Sequence, residues 1–552
     1  MNLMVLMHRQ QLYDADTGNT YPATKWLLDC MTSPIPNDAI ANLFPAEHRG
    51  VAYEYRVFRI ESNEVLQQLG LPRRESLRYS FIDIAPGLAT VTNKARLILG
   101  DEDAGIPPKD PKQWTIEDAK YAELYQHLNI FRRLAAHGGP LLIPNADGSD
   151  QWRTFRDVYY ENGWEDDPDK LPDNVEAKAY VFYIQLLTAY QAGDKLGFNK
   201  TLDSYLKDLD RTEPARVARM RTERFFNEFA PFWYCLLIYL VFAIMGGVSW
   251  IPTTWSEPIR KAAYAGMAVA FVAHLSGLVL RMYLQDRMFV FVTNLYSSAV
   301  FIGLGCVFVG LLAEWFYRNG IAVVVGSACG FCTLFIAHLL GLDGDTMVMM
   351  QAVLDTNFWL ATHVTCITLG YTTAFVAGGM GIAYILLGIF TDQLRREGSA
   401  NLARMTYGVL CAGMFLSFVG TVLGGLWADY SWGRFWGWDP KENGALLIVI
   451  WIALILHARW GGLVKHRGIA VLSVLGIIVT SWSWFGTNFL GIGLHAYGGA
   501  KANAMLTLNL INLGFLAIAG LGMLPLQHWQ SFRPPSQSGH AAGAGQPKPM
   551  SA

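Results

Sequence analysis

A surplus of charge of either sign is missing from this chain of 552 residues: 43 Lys and Arg stand against 45 Asp and Glu, and only 16% of residues are charged. That balance excludes the basic footprint of a nucleic-acid binder. Cysteine is scarce too, at seven. Six of them (Cys235, Cys306, Cys329, Cys332, Cys366 and Cys411) fall in apolar segments where a small thiol packs like alanine, so no disulfide framework is predicted. Cys329 and Cys332 have redox-motif spacing but lie in a hydrophobic helix without βαβ context, and read as helix packing. No secretory leader is legible in the opening MNLMVLMHRQ, which lacks both a long apolar run and a cleavage-type ending.

What charge there is lies unevenly. Residues 1–229 hold 34 acids and 27 bases, which leaves 11 acids and 16 bases for the rest. From Phe232 onward the chain carries nine apolar stretches, each about 20 residues or longer and able to cross a bilayer as a helix. They cover 232–250, 263–284, 293–316, 319–340, 358–390, 402–426, 443–460, 468–488 and 502–524. The predicted fold is mainly α: a polytopic membrane helix bundle of nine spans over 230–526, preceded by a soluble α+β region, 1–229. Within that region 51–60 reads as a strand and 117–136 as a helix, while His48, His127 and His137 stand alone and read as surface or structural. Residues 527–552, rich in Gly, Ala, Pro, Ser and Gln, read as a disordered tail. Loops 251–262, 317–320, 391–404 and 458–467 hold nine Lys or Arg against five (Arg281, Arg287, Arg434, Lys441 and Lys501) on the other face. The positive-inside rule then puts the loops near 345, 435 and 495 outside, together with residues 1–229.

The outer connection between the sixth and seventh spans reads WADYSWGRFWGWDPKE, residues 427–442. An interfacial belt needs one or two aromatics per helix end. Trp427, Trp432, Trp436 and Trp438, with Gly433 and Gly437 between them, suggest instead a stacking surface for a flat aromatic ligand. His363 and His495 lie on the same outer face and flank this loop. A lone histidine there reads as a hydrogen-bonded interface residue, but a pair around such a surface suggests the two axial ligands of a six-coordinate haem. His457, inside the seventh span, is a candidate intramembrane ligand, since ionisable groups in spans are costly and usually functional. His274 and His338 are weaker candidates. Arg281 and Arg434 could pair with haem propionates through bidentate hydrogen bonds. Asp439 is grouped with this set as a shaper of the loop, without chemistry of its own, and no side chain reads as a general acid or base.

The WGxxWxWDPKE core at 432–442 resembles the tryptophan-rich WWD signature of haem-handling proteins of cytochrome c maturation. NFWLATHVTCITLGY (357–371), LILHARW (454–460) and NFLGIGLHAYG (488–498) are similar, in order and spacing, to the CcsA (ResC) branch, and LRMYLQDRMFVFVTNLYSS (280–298) resembles its early spans. The resemblance covers 232–524. It implies a protein of the bacterial inner membrane that passes haem b outward and holds it at an extracytoplasmic WWD loop, between His363 and His495 as external axial ligands, with His457 as the intramembrane one. It further implies presentation of haem to a CxxCH apocytochrome c for thioether attachment, as part of a holocytochrome c synthase. The implied partners are a CcsB/ResB-like membrane protein, apocytochrome c and a thiol-reducing thioredoxin-like protein. Residues 1–229 resemble the extracytoplasmic region of fused CcsBA versions, whose CcsB spans this sequence does not show. A haem exporter without synthase activity and a b-type electron-transfer subunit are the rival readings.

Overall fold

The structure is a computed structural model, and describes residues 11–13, 20–33, 40, 51–101, 104–110, 113–147, 152–162, 171–342, 346–347, 356–394, 396–493, 495 and 502–532. Two compact units divide between Arg221 and Thr222. The first is built of helices, the longest being Ile116–Ala135, Val175–Gln191 and Lys195–Thr212. Two short antiparallel pairs join them: Gln11–Tyr13 with Thr20–Pro22, and Phe58–Arg59 with Arg78–Tyr79. Thr115 and Asp118 form the capping box that starts the helix predicted over 117–136.

The strand predicted over 51–60 is mostly absent: Val51–Glu54 is a helical turn, and only Phe58 and Arg59 pair as strand. The chain cannot extend the ladder further because Ser62 already caps the next helix, its side chain accepting from the Val65 amide. His137 is buried with Nδ1 2.8 Å from the Tyr183 hydroxyl. His48 lies outside the described residues.

Among the described residues, the second unit carries nine helices long and apolar enough to span a membrane: α1 Pro231–Val248, α2 Ser256–Leu284, α3 Leu295–Tyr317, α4 Ile321–Gly341, α5 Asn357–Phe390, α6 Arg396–Trp432, α7 Pro440–Trp460, α8 His466–Phe489 and α9 Ala502–Gly522. The protein is therefore a multi-pass membrane protein of the predicted class. Helices α3, α5 and α8 form the interior, with 67, 61 and 67% of their most apolar windows buried, whereas α9 has 11%. Small residues allow the close crossings, as membrane helices require. A Cβ on Gly310 would stand 2.9 Å from the Gly326 Cα, between α3 and α4.

Two boundaries differ from expectation. Helix α6 runs to Trp432, so the first six residues of the aromatic connection are its last turns, and only 433–439 remain as loop. Nothing in 427–432 breaks a helix; Gly433, at φ +68°, ends it, its amide returning to the Asp429 carbonyl at 2.9 Å. Residues 527–532, expected to begin the tail, form short 3₁₀ turns. Trp529 is fully buried there, with its indole N–H donating to the Leu524 carbonyl at 3.1 Å. Its ring lies where a Cβ on Gly388 of α5 would be. The remainder of the tail, 533–552, lies outside the described residues.

Candidate functional site

One cavity opens at the end of the bundle where α3, α5 and α7 begin and α6 and α8 finish, and it encloses about 1250 Å³ including its open mouth. His363, Trp427, Trp436 and His495 all lie on its lining. Each histidine reaches it through a distinct local device.

His363 sits in a π-helical turn, Leu360–Val364, near the start of α5. Such turns are rare and recur at functional sites because the extra residue breaks the regular hydrogen-bond ladder. Its Nδ1 is 2.8 Å from the Gly420 carbonyl of α6. A carbonyl can only accept, so Nδ1 carries the proton and Nε2 keeps its lone pair. The imidazole lies against a glycine face of α6: a Cβ on Gly424 would be 2.6 Å from Cε1. One turn further, Trp427 meets the imidazole edge-on, with ring centroids 5.7 Å apart. Gly424→Ala is therefore expected to displace His363 and cost about 1–3 kcal/mol of stability from overpacking. Haem titration followed by visible absorbance, with thermal unfolding in detergent, measures both effects.

His495 is held from the opposite side by the start of α7. The sequence D-P-K-E supplies an N-cap, Pro at N1 and an acid at N3. Asp439 Oδ1 accepts from the amides of Lys441 and Glu442 at 2.8 and 3.0 Å, and Glu442 Oε2 accepts from those of Gly437 and Asp439 at 2.7 and 3.2 Å. Asp439 Oδ2 remains, and takes His495 Nδ1 at 2.5 Å. Burial opposes the Asp439 charge, but the hydrogen bond from His495 and the two cap amides overcome it and hold the carboxyl at about 2. A carboxylate on Nδ1 favours the tautomer with its proton on that nitrogen, the form in which a histidine ligates a metal through Nε2. Gly493, at φ +90°, lets the chain pass Asp439, since a Cβ there would be 3.0 Å from the Asp439 Cβ. Trp432 closes the far side of His495, edge-on at 4.9 Å.

A second π-helical turn, Trp482–Gly486 in α8, forms another part of the wall. Lys441 Nζ donates to the carbonyls of Ser483 and Trp484, both at 3.0 Å. The Trp484 indole donates to Ser298 Oγ at 3.0 Å, and the Tyr371 hydroxyl is 3.2 Å from Ser483 Oγ.

The other residues singled out by sequence are distributed unevenly. Trp432 and Asp439 stand behind His495 rather than on the lining. Trp438 is 71% exposed, at φ +58°, and meets Trp436 at 86°. That pair thus packs edge to face rather than as part of the flat stacking surface expected, since ring quadrupoles favour perpendicular contacts. Arg434 lies off the lining, 3.5 Å from Glu442 Oε1 and over the Trp432 ring. Arg281 is also off the lining and buried; it donates to the Thr346 hydroxyl and carbonyl and lies over the Tyr296 ring. His457 is on an exposed face of α7, with Nδ1 2.8 Å from the Ala453 carbonyl, and does not reach the cavity. His274 is fully buried beside the Tyr239 hydroxyl, at 3.2 Å. Sequence reasoning passed over Gly424, Trp484 and Asn488, and took Glu442 only as a shaper of the loop and Lys441 only as an outer-face cation; the capping pattern of D-P-K-E could have pointed to these last two.

The lining fits a porphyrin. Its walls are aromatic, and it offers two imidazoles whose Nδ1 atoms are already committed. Two buried polar atoms on it, Trp427 Nε1 and Asn488 Oδ1, have no hydrogen-bond partner among the described residues, a state that protein interiors normally avoid.

Residues 292–495 match the model of the family described as cytochrome C assembly protein. The chain is similar to protein NrfI of Wolinella succinogenes, 30% identical over 270 residues, which cover 48% of this chain and 29% of NrfI. It is also similar to the cytochrome c biogenesis protein CcsA of Parasynechococcus marenigrum, at 28% over 236 residues, 38% of this chain and 77% of that protein. CcsA of Crocosphaera subtropica matches at 28% over 326 residues, 48% and 93% of the two chains. The chain thus spans under a third of NrfI and most of these two CcsA proteins. Among solved structures, the cytochrome c haem lyase CcmF aligns with TM-score 0.38 and 17% identity over 52% of this chain and 49% of its own, too loosely to bear on function. Through the stretch that holds His363, the aromatic connection and His495, the chain is similar to the cytochrome C assembly protein family.

Proposed function

We propose that the second unit receives haem b, holds it in this cavity at the extracytoplasmic face of a bacterial inner membrane, and presents it for covalent attachment to a CxxCH apocytochrome c. The observation that carries the reading is the pair of imidazoles on one aromatic cavity, each with Nδ1 tied to an acceptor, His363 to a carbonyl and His495 to a carboxylate. A pair of imidazoles that ligate through Nε2 is the ligand set of a six-coordinate haem. Haem itself supplies the reactive vinyl groups, across which two substrate thiols add to form thioether bonds. The chain's part would be placement: His363 and His495 would hold the group, Trp427 and Trp436 would keep water from it, and Asp439 and Gly420 hold the imidazoles in orientation. A CcsB/ResB-like membrane protein and a thioredoxin-like reductant that keeps the substrate thiols reduced complete the system. His457, exposed on α7, is the residue that would meet haem earlier on its route, facing such a partner.

The test is co-expression of the chain with an apocytochrome c in haem-replete cells, with and without a CcsB-like protein, followed by purification in detergent. A six-coordinate low-spin spectrum of the chain and covalently haem-stained cytochrome are expected. A colourless protein would sink the reading, and bound haem without covalent product would reduce it to a haem carrier.

A further inference from the structure

Two axial imidazoles fix a porphyrin's plane but leave it free to turn about the axis between them. Something else on the wall has to decide which edge faces the incoming thiols. Lys441 is the only Lys or Arg on the cavity lining among the described residues. It is half-buried at the second position of α7, where the helix's own partial positive charge disfavours a cation. Its two hydrogen-bond acceptors, the carbonyls of Ser483 and Trp484, are neutral, and an ammonium has three N–H donors. The nearby acids are engaged elsewhere: Asp439 with the cap and His495, Glu442 with amides and Arg434. An ammonium on an apolar wall, without a carboxylate bonded to it, attracts an anion more strongly than it would in water. Arg281 and Arg434, the cations suggested by sequence, are both off the lining.

We propose that Lys441 anchors a carboxylate of the bound ligand, which for haem is a propionate, and so sets the rotation of the ring between His363 and His495. This rests on the haem reading above. Glu442, on the same lining, repels a carboxylate and confines it to the Lys441 side.

The test compares binding of iron protoporphyrin IX with that of its dimethyl ester, by visible titration of the purified full chain and of Lys441→Met and Lys441→Arg variants. Wild type is expected to favour the free acid by about ten- to a hundredfold, the worth of a charge-assisted hydrogen bond. Lys441→Met is expected to bring that ratio close to one while the six-coordinate bands stay in place, and Lys441→Arg to keep most of it. Equal affinity of wild type for acid and ester would overturn the proposal and leave the haem reading standing, and so would an unchanged ratio in a folded Lys441→Met protein. Should Lys441→Met fail to fold, the acid-to-ester ratio of wild type and of Lys441→Arg still decides. Failure of wild type to bind either porphyrin would overturn both.

Discussion

Purified His363→Gly and His495→Gly proteins are each expected to lose the six-coordinate haem spectrum of the wild type and to regain it when imidazole is added. Glycine removes the ligand and leaves a ring-sized void beside an acceptor that stays in place. For His363 that acceptor is the Gly420 carbonyl, and for His495 it is the Asp439 carboxylate. Free imidazole entering either void can donate one N–H to the acceptor and turn its other nitrogen to the iron, as the native side chain does. His457→Gly, by contrast, is expected to leave the spectrum of haem in this cavity unchanged, because its side chain bonds within its own helix and lies off the lining. Visible spectra of the three variants, with and without imidazole, separate these outcomes. An unchanged spectrum in both His363→Gly and His495→Gly would remove the axial assignment.

Asp439→Asn is expected to weaken haem binding about ten- to a hundredfold, the usual effect of losing a partner behind a metal-bound histidine. Asparagine is as good an N-cap as aspartate, so α7 should still start at Pro440. What asparagine cannot supply is the negative charge on His495 Nδ1. Asp439→Ala removes both functions and is expected to cost a further ~1 kcal/mol of stability from the lost cap. Comparing the two in haem titration and in thermal unfolding separates orientation of the histidine from formation of the helix. Equal haem affinity in wild type and Asp439→Asn would show that the cap is the only function of this carboxylate.

The nine spans were legible in sequence because hydropathy over about 20 residues is a local property, and a bilayer accepts few other backbones. The same holds for the pairing of His363 and His495 with the aromatic connection. Alternating spans bring the start of α5, the end of α6 and the end of α8 to one end of the bundle whatever the packing. The helix start at Asp439 was legible too, in the D-P-K-E pattern, although its second use as the partner of His495 was not.

Tertiary structure decided the rest. The register of α5 against α6 makes Gly424 the seat of the His363 ring, and a glycine in an apolar span carries no sign of its neighbour. Which cation reaches the cavity depends on what each meets in the packed bundle: Lys441 bonds the second π turn on the cavity wall, while Arg281 and Arg434 turn to other partners. Hydrophobicity belongs to a segment and is written along the chain, whereas the direction of one side chain depends on neighbours that only the packed bundle supplies.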